Sequence, residues 1–119
     1  MFVVDIDAAQ VRSYDSLGND QHEAFETLIK VLKQRWTMDR RQESFPTYTY
    51  QKMPVPRQRD GTECGVYVCV FLEFLTRRSR VTLNENSFTE ADMAGFRKQL
   101  VKQMLLEQRP TDFRASFTA

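Results

Sequence analysis

Gln58-Arg59-Asp60-Gly61-Thr62-Glu63-Cys64-Gly65-Val66-Tyr67-Val68-Cys69 is a polar, glycine-containing loop that delivers a cysteine onto the first turn of a long apolar segment. From Cys64 to Leu75 the chain is almost continuously apolar, which predicts that the segment is buried. Val66, Tyr67, Val68, Val70 and Phe71 favour a strand, but the run exceeds ordinary strand length. It also ends in Glu73 and then Arg77-Arg78, which suits the last turn of a helix. A central helix is therefore expected, with Cys64 where helix N-terminal N–H groups favour an anion. Cys69, five residues further in, reads as a buried small hydrophobe.

A cysteine nucleophile needs a base to take its proton, a group to orient that base and donors for the oxyanion formed on attack at a carbonyl. Cys64 has a flank compatible with exposure and Cys69 does not. The sole histidine, His22, falls in the first turn of a predicted helix and reads as a surface residue, so it is not assigned as the base. On the residues alone Cys64 stays open between a nucleophile and a packed structural thiol.

The totals set bounds on both readings. A chain of 119 residues, 41% hydrophobic and 28% charged with nine Phe and four Tyr, fits one folded domain with a single core. A net charge of +1 gives no electrostatic case for nucleic acid, and the pairs Arg40-Arg41 and Arg77-Arg78 read as solvated patches. Two cysteines are too few for a secreted disulfide framework and wrongly spaced for a zinc knuckle; no metal or cofactor is implied. Met1-Phe2-Val3-Val4 runs at once into Asp5 and Asp7, which argues against a signal peptide or a membrane span. Nucleus or cytoplasm is the expected location, and a monomer the expected state.

Taken in order, Phe2–Ile6 and Val11–Tyr14 predict a hairpin turning at Asp7-Ala8-Ala9-Gln10. Asp15 stands at the end of the second strand, before the turn residues Gly18 and Asn19. Asp20 opens a helix, with Glu23 completing a capping box; Phe25, Leu28, Ile29, Leu32 and Trp36 form its inner face, and Lys30, Lys33 and Gln34 lie outside. Thr47–Gln51 alternates strictly and predicts a strand with its tyrosines on one face. Pro54 and Pro56 end it, leaving Val55–Thr62 as a loop. After a linker over Ser79–Ser87, Thr89 caps a last helix with Asp92. Its inner face is Met93, Phe96, Leu100 and Met104, with Lys98, Lys102 and Gln103 outside, and Gly95 weakens it by about 1 kcal/mol relative to alanine. Arg109-Pro110 stops it and Thr111–Ala119 reads as a tail. The domain thus runs over 1–109, with 110–119 outside it.

Tyr14-Asp15-Ser16-Leu17-Gly18, together with the Gln58–Cys69 stretch, resembles the C-terminal part of the ubiquitin-like-protein-specific cysteine proteases, the Ulp1/SENP family. Phe88–Arg97 resembles that family's last helix. A glutamine six residues before a Cys-Gly, with Asp-Gly between, is far more restrictive than a lone cysteine. The resemblance implies an α+β, papain-like fold with the sheet beside the cysteine-bearing helix. It implies Cys64 as nucleophile, Asp15 as the acid orienting a catalytic histidine, and Gln58 as the side-chain oxyanion donor, with the Cys64 N–H as the second. The partner implied is a SUMO-like or other ubiquitin-like modifier and its conjugates.

The family's histidine stands in a His-Trp pair whose tryptophan helps form a channel for the substrate's Gly-Gly tail. Counting back from Asp15 puts that pair upstream of Met1. The expectation is accordingly a truncated catalytic domain, inactive alone and marginally stable, with an exposed edge at Phe2–Ile6. A pseudo-protease that binds a modifier, and a structural domain in which Cys64 is merely packed, are the competing expectations.

Overall fold

Phe2–Asp5 (β1) and Gln10–Ser13 (β2) form the expected antiparallel hairpin, with Phe2 opposite Ser13 and Asp5 opposite Gln10. In this computed structural model, which describes residues 1–39, 41–76 and 82–106, the chain divides into two units, Met1–Met53 and Pro54–Ala119. The architecture is α+β.

In the first unit the hairpin loop closes on Ala9 at φ 50°, a left-handed conformation that costs a residue with a Cβ energy. The Ala8 N–H donates to the Asp5 carboxylate at 2.9 Å and steadies the turn. The chain then leaves β2, crosses through helix α1 (His22–Met38) and returns as β3 (Thr49–Lys52), parallel to β2. Parallel neighbours need such a crossover. The sheet order is β1-β2-β3, so β1 is an edge, as expected. Val11 and Ser13 point inward from β2.

Helix α1 presents the face its periodicity predicts. Phe25 is buried, Leu28, Ile29, Leu32 and Trp36 are half-buried, and Lys30, Lys33 and Gln34 are exposed. The expected capping box at Asp20 does not form. The helix begins at His22 with Gln21 as its cap, and no side chain caps it. Asp20 thus stands one residue before the cap, and its carboxylate accepts from the His22 N–H at 3.1 Å and the Tyr50 hydroxyl at 3.2 Å.

The second unit is built on helix α2 (Cys64–Thr76), a 3-10 turn at Glu90–Asp92 and helix α3 (Met93–Leu106). Its core is aromatic. Phe88 meets Tyr67, Phe71, Phe74 and Phe96 at ring-centroid distances of 5.6, 6.1, 6.0 and 5.7 Å. A turn over Asn84–Ser87, closed by the Asn84 carboxamide and the Ser87 hydroxyl, feeds Phe88 into this cluster. At Thr89 the predicted capping box is present: its N–H donates to the Asp92 carboxylate at 2.8 Å.

Two expectations are corrected here. Helix α2 is not buried all round: Tyr67, Val70 and Phe71 face inward, whereas Gly65, Cys69, Leu72 and Thr76 are exposed. These four recur at helical spacing, one stripe opposite the core, so Cys69 is a surface thiol. On α3 the inner stripe is Met93, Phe96, Leu100 and Gln103, while Met104 is 80% exposed. The 3-4-3 spacing of that stripe carries it to 103 rather than 104, so Gln103, expected outside, turns inward. The C-terminal turn of α2 at Arg77-Arg78, the solvated-patch reading of Arg40, the start of the linker at Ser79, the Arg109-Pro110 stop and the 110–119 tail lie outside the described residues. Among the described residues no helix is long and apolar enough to cross a membrane.

Candidate active site

The loop from Met53 to Glu63 has no regular structure, and its side chains shape it. Val55 and Pro56 are buried, as is Gln58. Asp60 then accepts from the Thr62 hydroxyl at 2.6 Å and the Thr62 N–H at 3.1 Å. These two bonds, the hydroxyl first, hold the Asp60 carboxyl below its ordinary pKa. The reversal they make brings the start of α2 back onto Gln58. Glu63 donates its N–H to Gln58 Oε1 at 3.3 Å, and Gln58 Nε2 donates to Cys64 Sγ at 2.9 Å. The thiol in turn reaches the Gly61 carbonyl at 3.4 Å.

A half-buried thiol therefore sits on the first turn of a helix beside a buried neutral amide. The first-turn N–H groups of a helix have no intrahelical acceptor. A side-chain amide together with such N–H groups is the kind of donor set that can hold an oxyanion formed at the sulfur's target.

Asp15, in the first unit, sits on a turn in which the Gly18 N–H bonds the Asp15 carbonyl at 3.0 Å. Gly18 has φ 76° there, a conformation in which glycine avoids a steric cost. The Asp15 carboxylate accepts from the N–H groups of Leu17 at 2.9 Å and Asn19 at 3.2 Å, and from Gln21 Nε2 at 2.9 Å. Partial burial pushes its pKa up, but the bonds from Leu17, Gln21 and Asn19 outweigh it and the carboxyl titrates below its ordinary value. Gln21 is itself held by its N–H bond to the Tyr50 hydroxyl at 3.1 Å, which also pairs with Ser13 Oγ at 3.0 Å. Alternation in β3 predicted only that its tyrosines share one face; the part of Tyr50 in fixing Asp15 through Gln21 had no signal in the pattern.

His22 is on the surface of α1, as expected. Its Nε2 lies 3.5 Å from Glu26 Oε1, and its ring meets Tyr50 edge-on at 5.5 Å. Of the residues singled out in the sequence, Gln58 and Cys64 are brought into contact, and Asp15 has Gln21 as its side-chain partner. No role was assigned from the sequence to Glu63, Glu90 or Arg97. The Glu63 carboxylate pairs with the Arg97 guanidinium, and Arg59 pairs with Glu90. Partners 34 and 31 residues apart leave no periodic trace. Among the described residues no cluster of His, Cys, Asp and Glu could hold a metal ion.

Residues 1–109 match the model of the Ulp1 protease family, C-terminal catalytic domain. The chain belongs to the Ulp1 protease family. Among curated relatives it is 26% identical over 112 residues to Sentrin-specific protease 2 of Homo sapiens, and 26% to that of Pongo abelii, in each case over 91% of this chain and 18% of the relative. It is 30% identical over 108 residues to a Sentrin-specific protease of Caenorhabditis elegans, over 88% of this chain and 15% of that protein. The chain thus spans less than a fifth of the length of these relatives. The Ulp1 match takes in both Asp15 and the Gln58–Cys64 loop.

Proposed function

We propose that Cys64 is the nucleophile of a thiol protease that cleaves after the C-terminal Gly-Gly of a sentrin (SUMO)-type modifier, in a precursor or at an isopeptide bond to lysine. The thiolate adds to the carbonyl carbon, forming the S–C bond, while Gln58 Nε2 and the Cys64 N–H take the oxyanion. The C–N bond then breaks, the amine leaves with a proton from a histidinium, and water hydrolyses the acyl-enzyme. Asp15, kept ionised by its three donors, orients that histidine. The observation that carries this reading is the 2.9 Å bond from Gln58 Nε2 to Cys64 Sγ at the start of α2.

The base is not His22, which is engaged with Glu26, and residues 54–119 contain no histidine. We infer that the 119-residue polypeptide by itself turns over slowly or not at all. The test is capture by a SUMO probe with a C-terminal vinyl sulfone. Slow capture that requires Cys64 and is accelerated by added imidazole is expected. Rapid unaided capture would overturn the slow-turnover inference, and adducts on Cys69 would overturn the nucleophile assignment.

The second reading, a non-catalytic module that binds the modifier, is favoured by the same engagement of His22. It is distinguished by modifier binding that persists while no adduct forms even with imidazole.

A further inference from the structure

We propose that Arg97 and Glu90 are positioning residues that brace the oxyanion loop at both its ends, an inference that rests on the reading of Gln58 and Cys64 above. Five residues, Arg59 to Glu63, connect the amide donor to the nucleophile. They form no helix or strand, and Arg59, Asp60, Gly61 and Thr62 are exposed. The loop's own bonds, Asp60 to Thr62 and Gln58 to Glu63 and Cys64, set its reversal, but an exposed loop held by so few bonds opens readily unless it is braced from outside.

That bracing comes from the following element. At the Gln58 end, Glu90 Oε1 accepts the Arg59 N–H at 3.2 Å and Oε2 lies 3.6 Å from Arg59 Nε. At the Cys64 end, the Arg97 guanidinium binds the Glu63 carboxylate. Glu90 and Arg97 are seven positions apart, about two helical turns, on the 3-10 turn and α3 that continues it. That element is anchored by the buried Phe88, Met93 and Phe96. Upstream of Gln58 a third brace is the Tyr67 hydroxyl, which donates to the Arg57 carbonyl at 3.3 Å. Burial first, then the carboxylates of Glu90, Glu63, Asp60 and Asp92, raise the pKa of that phenol and keep its proton in place.

Stability does not account for these pairs. The Arg59 side chain is 93% exposed and that of Arg97 55%, and exposed ion pairs add little to folding. What they fix is where Gln58 and Cys64 stand relative to each other, through the residue after the first and the residue before the second.

The test is amide hydrogen exchange on the 15N-labelled chain, reading the Glu63 N–H, which donates to Gln58 Oε1, against the helix-interior amides of Val70 and Phe71. In Arg97→Met the Glu63 protection should fall about fivefold while Val70 and Phe71 are unchanged. Arg97→Lys, which keeps the charge, should restore most of it. Glu90→Met, which removes the acceptor, should expose the Arg59 N–H in the same selective way. Unchanged Glu63 protection in Arg97→Met would overturn the brace, and so would a loss spread equally over Val70 and Phe71, or a failure of lysine to rescue. Exchange needs no turnover, so failure of the brace and failure of the catalytic reading register in separate measurements.

Discussion

Gln58 Nε2 donates to Cys64 Sγ at 2.9 Å, and the same carboxamide's Oε1 accepts the Glu63 N–H at 3.3 Å. One buried amide thus grips the start of α2 on both sides of its first peptide, which sets the sulfur and the donor in one frame. Replacing Gln58 by alanine removes both bonds. Capture of a SUMO aldehyde, whose adduct carries the oxyanion, is expected to slow by about 10²–10³, with the circular dichroism of the fold retained. An unchanged capture rate would remove Gln58 from the chemistry.

Asp15 gives a prediction with a defined sign. Its folded pKa is lowered from 3.8, so its ionised form contributes stability above that unfolded value, and the contribution is lost as pH falls through the lower folded value. Asp15→Asn should therefore melt below the parent at neutral pH, with the gap narrowing as pH drops below about 4. Thermal melts across pH 2 to 7 would show it. A gap independent of pH would mean that the three bonds to Asp15 act through shape alone.

How far the sequence could be read follows from where residue chemistry is one-sided. Helix α1 alternates apolar and charged residues at helical period, and each of its five predicted inner residues is buried or half-buried. Helix α2 has no polar face to fix its rotation, so periodicity said nothing about which side meets the core. Only the placement of Tyr67, Val70 and Phe71 put Cys69 outside. The same capping pattern was read at Asp20 and at Thr89 and formed at one of them. At Asp20 the helix starts one residue late, with Gln21 as its cap, and the carboxylate is shared between the His22 N–H and the Tyr50 hydroxyl, a partner 30 residues away. The cysteine loop was legible as a motif, whereas Glu90 and Arg97, which pair with it, carry no local signature. Pairing across more than thirty residues is a property of the fold.

The aromatic cluster predicts a sharp contrast on either side of α3. Phe88 touches four rings and is 6% exposed, whereas Met104 is 80% exposed. Phe88→Ala should cost about 3–5 kcal/mol through lost burial and the cavity left behind. Met104→Ala, although predicted from the sequence to face inward, should change stability by less than about 0.5 kcal/mol. Denaturant titration of the two variants decides it, and a comparable loss at Met104 would show that its face is covered in solution.

Backbone chemistry supplies the last prediction, in two opposite substitutions. Gly95 lies inside α3 with nothing beyond its own helix backbone and chain neighbours within 4 Å of the position a Cβ would take, so its flexibility is a cost without a packing return. Gly95→Ala should raise stability by about 1 kcal/mol. Ala9 is the reverse case, a residue with a Cβ held at φ 50° in the hairpin loop. There the strain of the left-handed region outweighs the extra unfolded-state freedom of glycine, so Ala9→Gly should also stabilise, by up to about 1 kcal/mol. The two sites lie in different units and share no partner, so their effects should add in the double variant to within about 0.5 kcal/mol. Chemical denaturation of the two single variants and the double checks all three values. Destabilisation by Ala9→Gly would mean that glycine's entropy in the unfolded chain exceeds the strain held at that turn.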